Sequence, residues 1–112
     1  MRKIEKPWGF EVIWAETEHY VGKLLHINAG HKLSKQYHQV KEETIYVLQG
    51  LLYNYEKDGS VTVVTPGNAL HIHVGQVHRF GADESSVELI EVSTNYLDDV
   101  VRLEDDYGRK ET

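Results

Sequence analysis

The sequence predicts an all-β domain of the small sandwich or barrel type, and three observations predict it. Short runs of β-branched and aromatic residues recur along the chain, separated by turn residues at intervals of about eight to twelve. No stretch sustains a helical apolar period. Glycine, proline and one Asp-Gly pair punctuate the runs where strands would have to reverse. At 112 residues the chain is expected to be one domain, 1–112, with a single core.

The elements follow in order. Pro7-Trp8-Gly9 reads as a turn, and Phe10 to Trp14 as a short strand after it. Val21 to Ile27 is a second strand, which Asn28-Ala29-Gly30 ends with turn chemistry. Gln36 and His38 are two apart, so on a strand both point to one face and Tyr37 to the other. Glu43 opens the next run, to Gln49, with Gln39 to Glu42 as the connection. Leu51 to Glu56 returns, Asp58-Gly59 turns, and Val61 to Thr65 pairs with it as a hairpin. Leu70 to His73 precedes the Val74-Gly75-Gln76 turn, and His78-Arg79-Phe80 follows it. Val87 to Ser93 is the last clear strand. The tail Tyr96–Arg109 reads as a short helix or an ordered extension. His19, His26 and His31 have no partner at metal spacing and read as surface or packing residues.

Gln36, His38, Glu43 and His78 stand out chemically. An amide oxygen, two imidazoles and a carboxylate suit a borderline divalent ion with water or substrate in its remaining positions. One carboxylate would leave such an ion with a local charge near +1, which suits holding and polarising an oxygen ligand. Zinc is the first expectation, with manganese or iron as alternatives.

A glycine, Gln36-x-His38, four residues to Glu43 and six more to Gly50 together resemble the first cupin motif. Gly67, Gly75 and His78 resemble the second. Lys6-Pro7-Trp8-Gly9 and Val101 to Arg109 resemble the edges of the cupin domain of type II mannose-6-phosphate isomerases. The resemblance implies a small cupin, a jelly-roll-like β-barrel with a short C-terminal extension. It also implies the ligand set Gln36, His38, Glu43 and His78, and a metal-dependent aldose–ketose isomerase acting on mannose 6-phosphate or a close analogue. The chain departs from that family where Thr44-Ile45 replaces His-Trp, His73 replaces Pro and Lys41 replaces Arg.

Isomerisation needs a base and an anchor for the far end of the sugar. His73, His71 and Glu91 are the candidate bases, and Lys41 and Arg79 the candidate phosphate anchors. Two other functions stay open: isomerisation or epimerisation of another sugar, and a non-catalytic metal- or sugar-binding cupin. GDP-mannose synthesis is not expected, because there is no Gly-rich phosphate loop and no room for a nucleotidyltransferase domain.

The formal charge of −6 argues against nonspecific nucleic-acid binding and against an anionic membrane surface. With no cysteine, no apolar leader and no run near the roughly 18 apolar residues of a span, a cytoplasmic protein is expected. A homodimer is expected as well, through Trp8, Phe10 and Trp14, because so small a barrel leaves apolar strand faces to cover.

Overall fold

The structure is a computed structural model that describes residues 1–109. Eleven strands follow in chain order: β1 (Arg2–Lys6), β2 (Gly9–Glu16), β3 (Tyr20–Ile27), β4 (Lys35–Tyr37), β5 (Glu43–Gln49), β6 (Leu52–Glu56), β7 (Val61–Val64), β8 (Ala69–Ile72), β9 (His78–Gly81), β10 (Val87–Thr94) and β11 (Val101–Glu104). They form two antiparallel sheets. One has six strands in the order β1-β2-β3-β10-β5-β8, and the other has five in the order β11-β4-β9-β6-β7. From β7 onward the chain changes sheet at every strand, as a jelly roll does.

Two sequence expectations change. Residues 2–6 form a strand rather than a lead-in to a turn, and Pro7-Trp8 becomes the hairpin connection to β2. The charged pattern Arg-Lys-Ile-Glu-Lys concealed it, and that pattern suits a sheet edge facing water. The other narrows: of the two readings of the tail the ordered extension holds, and it carries strand β11, paired with β4. No helix in the described residues is long and apolar enough to cross a membrane.

Each sheet buries alternate residues, and the six-stranded one divides its inner face along the strands. Leu25, Leu89 and Val47 lie in register on β3, β10 and β5, with Ile27 and Val87 beyond them. These five residues belong to a core that also takes in Trp8, Ile45, Leu52, Ile72 and Phe80. Two residues towards the other end, the next inward row is Lys23, Glu91 and Ile45. Glu43 is buried one inward row further on, opposite Ser93. Glu11, buried in the row of Leu25, extends its carboxylate to within 3.4 Å of the Lys23 ammonium. The barrel therefore has an apolar end that holds it together and a charged end that needs another explanation.

Gly50 shows how closely the turns are fitted. Its φ is +82°, and a Cβ there would lie 2.2 Å from the Ser86 carbonyl oxygen. Gly59 in the β6–β7 hairpin has φ +91°, but nothing lies within 4 Å of its missing Cβ. Alanine at Gly59 should therefore cost only the left-handed strain, about 1 to 2 kcal/mol. Alanine at Gly50 adds a backbone collision, so its loss should exceed that of Gly59→Ala by roughly 1 kcal/mol or more. Urea unfolding of the two variants checks this, and equal losses would contradict the close approach of β5 and β10 at that corner.

Candidate metal and ligand site

The charged end of the barrel opens into a cavity of about 680 Å³, the solvent in its mouth included. Gln36, His38, Glu43 and His78 all line it. Gln36 faces His78 directly across β4 and β9. His38 follows the end of β4, and Glu43 opens β5 in the opposite sheet. The two sheets thus bring together residues from three strands and a loop.

His38, Glu43 and His78 present their ligand atoms within 4.8 Å of one another, and all three are buried. His78 Nε2 lies 3.4 Å from Glu43 Oε1, and His38 Nε2 lies 3.7 Å from Oε2. Bonds of about 2.0 to 2.2 Å to a four-coordinate ion would separate neighbouring donors by about 3.3 to 3.6 Å. The spacing fits.

The outer nitrogens of both rings are also committed. His78 Nδ1 donates to the Gln76 carbonyl at 3.0 Å, and His38 Nδ1 donates to the Asp99 carbonyl. This leaves Nε2 of each ring aimed at Glu43, the arrangement that orients metal-binding imidazoles. The Gly75 N–H bonds the His38 carbonyl at 2.8 Å, so the β8–β9 turn also braces that loop. Asp99 accepts hydrogen bonds from the backbone N–H groups of Gln39, Val40 and Lys41, fixing the connection that leads into Glu43. Gln36 is held less firmly, its amide nitrogen reaching the Ser34 carbonyl at 3.5 Å.

Lys41 is the surprise of the site. Its ammonium lies 3.1 Å from Glu43 and 3.2 Å from Glu91, and it is buried with them. It is paired with two buried carboxylates, which argues against its expected role as a phosphate anchor. Burial alone would lower its pKa, but the charges of Glu91 and then Glu43 outweigh that and raise it. Glu43 is held well below the usual carboxylate range: burial opposes this, while hydrogen bonds from His38 and His78 and the Lys41 charge prevail. Glu91 moves the other way, pushed up by burial and by the charge of Glu43 against the pull of Lys41 and Lys23. Its Oε2 is buried without a well-directed hydrogen bond.

Three expected residues lie elsewhere. Thr44 pairs with His71 and Glu43 with Ile72 across β5 and β8. Ile72 is therefore the inward residue, and His71 and His73 face out, packed edge to face at 4.4 Å. His71 is engaged there by Glu42 at 2.9 Å. Neither imidazole reaches the cavity, so neither is its base. Arg79 sits between two inward residues, His78 and Phe80, and so faces away from the cavity. Its guanidinium bonds the Leu33 carbonyl and pairs with Asp106.

Other residues of the cavity escaped the sequence reading. Lys23 lies opposite Glu91 and 3.4 Å from Glu11, extending the alternation of charge across the sheet. Arg102 and Arg109 come from the tail, with Arg102 paired to Gln36 across β11 and β4. The inward alternation of β3 could have revealed Lys23. The arginines had no such signal, since β11 itself was not recognised.

Residues 1–105 match the model of the family described as "Mannose-6-phosphate isomerase C-terminal". The xanthan biosynthesis protein XanB of Xanthomonas campestris is 33% identical over 112 residues, covering 96% of this chain and 24% of that protein. A mannose-1-phosphate guanylyltransferase of Salmonella montevideo is 32% identical over the same shares of each chain. The chain spans about a quarter of the length of these curated relatives. A cupin-like protein from Thermotoga maritima has a TM-score of 0.77 at 15% identity, covering 90% of this chain and 80% of that one. A sugar phosphate isomerase of the cupin superfamily from Silicibacter pomeroyi has a TM-score of 0.69 at 18% identity, covering 77% and 59%. At these identities the two solved structures share the cupin fold with this chain.

Arg109 is placed by Asp105, whose fully enclosed carboxylate receives its backbone N–H and two guanidinium nitrogens. Asp105 lies below its ordinary pKa: burial works against this, and the Arg109 hydrogen bonds outweigh it. A carboxyl with a depressed folded pKa contributes stability above its unfolded value near about 4, and that contribution fades as pH falls through the folded value. Asp105→Asn should thus cost about 1 to 2 kcal/mol at neutral pH. The deficit should close in acid. Denaturation from neutral pH into the acid range checks this, and a deficit independent of pH would contradict it.

Proposed function

Since the chain belongs to the mannose-6-phosphate isomerase C-terminal family, we propose that its cavity binds a hexose phosphate and interconverts the aldose and ketose forms. One observation carries this reading. A His38–Glu43–His78 cluster fit for a divalent ion shares its cavity with a buried carboxylate, Glu91, whose pKa is raised.

His38, Glu43 and His78 would hold the ion, with Gln36 as a fourth neighbour, and zinc is favoured over manganese or iron. When bound, such an ion supplies electrophilic stabilisation of negative charge on the sugar's carbonyl and hydroxyl oxygens. Glu91 is the proposed base. It takes the proton from the carbon beside the carbonyl of the open-chain sugar and returns it to the former carbonyl carbon, while a hydroxyl proton passes between the two oxygens. A carboxyl raised towards neutrality can both accept and return a proton. Lys41 keeps Glu91 and Glu43 together without leaving either charge unpaired. Arg102 and Arg109 replace Lys41 and Arg79 as the proposed phosphate anchors, because a guanidinium fork matches phosphate oxygens.

A coupled assay with mannose 6-phosphate, alongside metal analysis, tests the proposal. The wild-type protein should bind one divalent ion per chain and turn the sugar phosphate over. Glu43→Ala should lose the ion and the activity together. Glu91→Gln should keep the ion and lower kcat by about a hundredfold or more, the usual share of a general base. Arg102→Ala should raise KM more than it lowers kcat. Bound metal without turnover of any hexose phosphate would overturn the enzymatic reading and leave a sugar-binding cupin.

A further inference from the structure

The corner of the five-stranded sheet where β4 meets β11 is thinly paired for what it carries. β6 runs in register with β9 from Tyr53 to Glu56 and with β7 from Leu52 to Tyr55. Among the described residues, β4 meets β9 at Gln36 and His78 alone, and its register with β11 shifts between Arg102 and Glu104. Yet Gln36 and His38 stand on one side of this corner and Arg102 on the other, all lining the cavity. A segment with few ladder bonds opens at low cost, and ligand-binding elements are drawn from such segments.

One residue fastens the corner. Asp99 lies two positions before β11 and holds four consecutive residues of the loop after β4. His38 Nδ1 donates to its carbonyl, the Gln39 N–H to one carboxylate oxygen at 3.0 Å, and the Val40 and Lys41 N–H groups to the other at 2.8 Å each. The turn around Asp99 is tight as well. Its own N–H bonds the Tyr96 carbonyl at 3.1 Å, and the Val100 N–H bonds the Asp98 carbonyl at 3.0 Å. A shift of the carboxylate therefore carries the start of β11 with it, where Val101 pairs with Tyr37 and Arg102 with Gln36. The far end of the tail is fastened separately. Arg79 reaches Asp106 at 2.7 Å, and the His31 ring shares a hydrogen bond of 2.6 Å with the Tyr107 hydroxyl. The Asp99 end of β11 is left as the part that responds to a ligand.

We propose that Asp99 is a positioning residue that couples the metal centre to the arginine-bearing tail, so that a divalent ion at His38 and a phosphate at Arg102 each strengthen binding of the other. The phosphate half of this rests on the reading of the cavity as a hexose-phosphate site. An ion on His38 Nε2 fixes the ring, the ring and its loop fix Asp99, and Asp99 fixes the strand on which Arg102 stands. An anion on Arg102 works back along the same contacts. Whichever binds first orders the corner, and the second meets a corner already ordered. By linkage the two effects are equal in size. Attraction through space between ion and phosphate also favours joint binding, but it does not need the Asp99 carboxylate. Removing that carboxylate separates the two contributions.

Hydrogen exchange and zinc competition against a chelator, both on the full chain, test this. Zinc alone should slow exchange of the β11 amides about fivefold or more, although β11 supplies none of the proposed ligands. Sorbitol 6-phosphate, which has no carbonyl to isomerise, should tighten zinc binding by a similar factor. Asp99→Ala should lose most of both effects while keeping the β-type circular dichroism of the wild type. Asp99→Asn, which retains one acceptor oxygen, should fall between, and it carries the comparison if the alanine variant does not fold. Zinc that protects β11 in the wild type but not in Asp99→Ala supports the coupling even where sorbitol 6-phosphate fails to bind; that failure overturns the hexose-phosphate reading alone. Absence of zinc-dependent protection in the wild type would overturn the coupling. So would protection undiminished in both variants, which would assign the route to Gln36 and its pairing with Arg102, or sorbitol 6-phosphate that binds without changing the affinity for zinc.

Discussion

The structure depends on keeping buried charge compensated at one end of a small barrel. Glu43 and Glu91 are withdrawn from water with Lys41 between them. Taking such groups from water costs several kcal/mol each, and only close pairing offsets it. Two carboxylates and one ammonium leave a net charge of −1, and the imidazoles of His38 and His78 converge on the carboxylate that Lys41 shares. A divalent cation would turn that balance to +1, the charge suited to holding and polarising an oxygen ligand. The apolar rows of Leu25, Leu89 and Val47 supply the stability that allows the adjoining row to be charged.

The strands were legible because their inner residues alternate with a period of two, and the turns because glycine stands where the backbone needs positive φ. Glu43–Gln49 and the Asp58-Gly59 hairpin are where the pattern places them. Gln36 and His38 do line one cavity, but His38 stands just past the end of β4, so strand alternation alone does not account for it. The failures have a common cause. Whether His73 or Arg79 faces the cavity depends on cross-strand register, which a single strand does not reveal. The pairing of Glu43 with Ile72 settles His73, and the burial of His78 and Phe80 settles Arg79. Strand β1, nearly all charged, and β11, within an acidic tail, gave no apolar alternation to read.

The same register explains the division of labour across the six-stranded sheet. Successive residues of β5 face a metal-type cluster and an apolar outer surface by turns, Glu43 inward and Tyr46 outward. A shift of one residue would exchange the two faces, placing carboxylates outside and Tyr46 in the cavity. The site and the outer face are therefore fixed by one pattern of pairing, which Gly50 and its contact with Ser86 help to anchor.

Anomalous diffraction from crystals grown with zinc and soaked with a hexose phosphate tests the central claim most directly. The account predicts one strong peak per chain at about 2.0 to 2.2 Å from His38 Nε2, His78 Nε2 and a Glu43 oxygen, with the sugar's phosphate on Arg102. A cavity without an anomalous peak, or an ion bound away from Glu43, would contradict it.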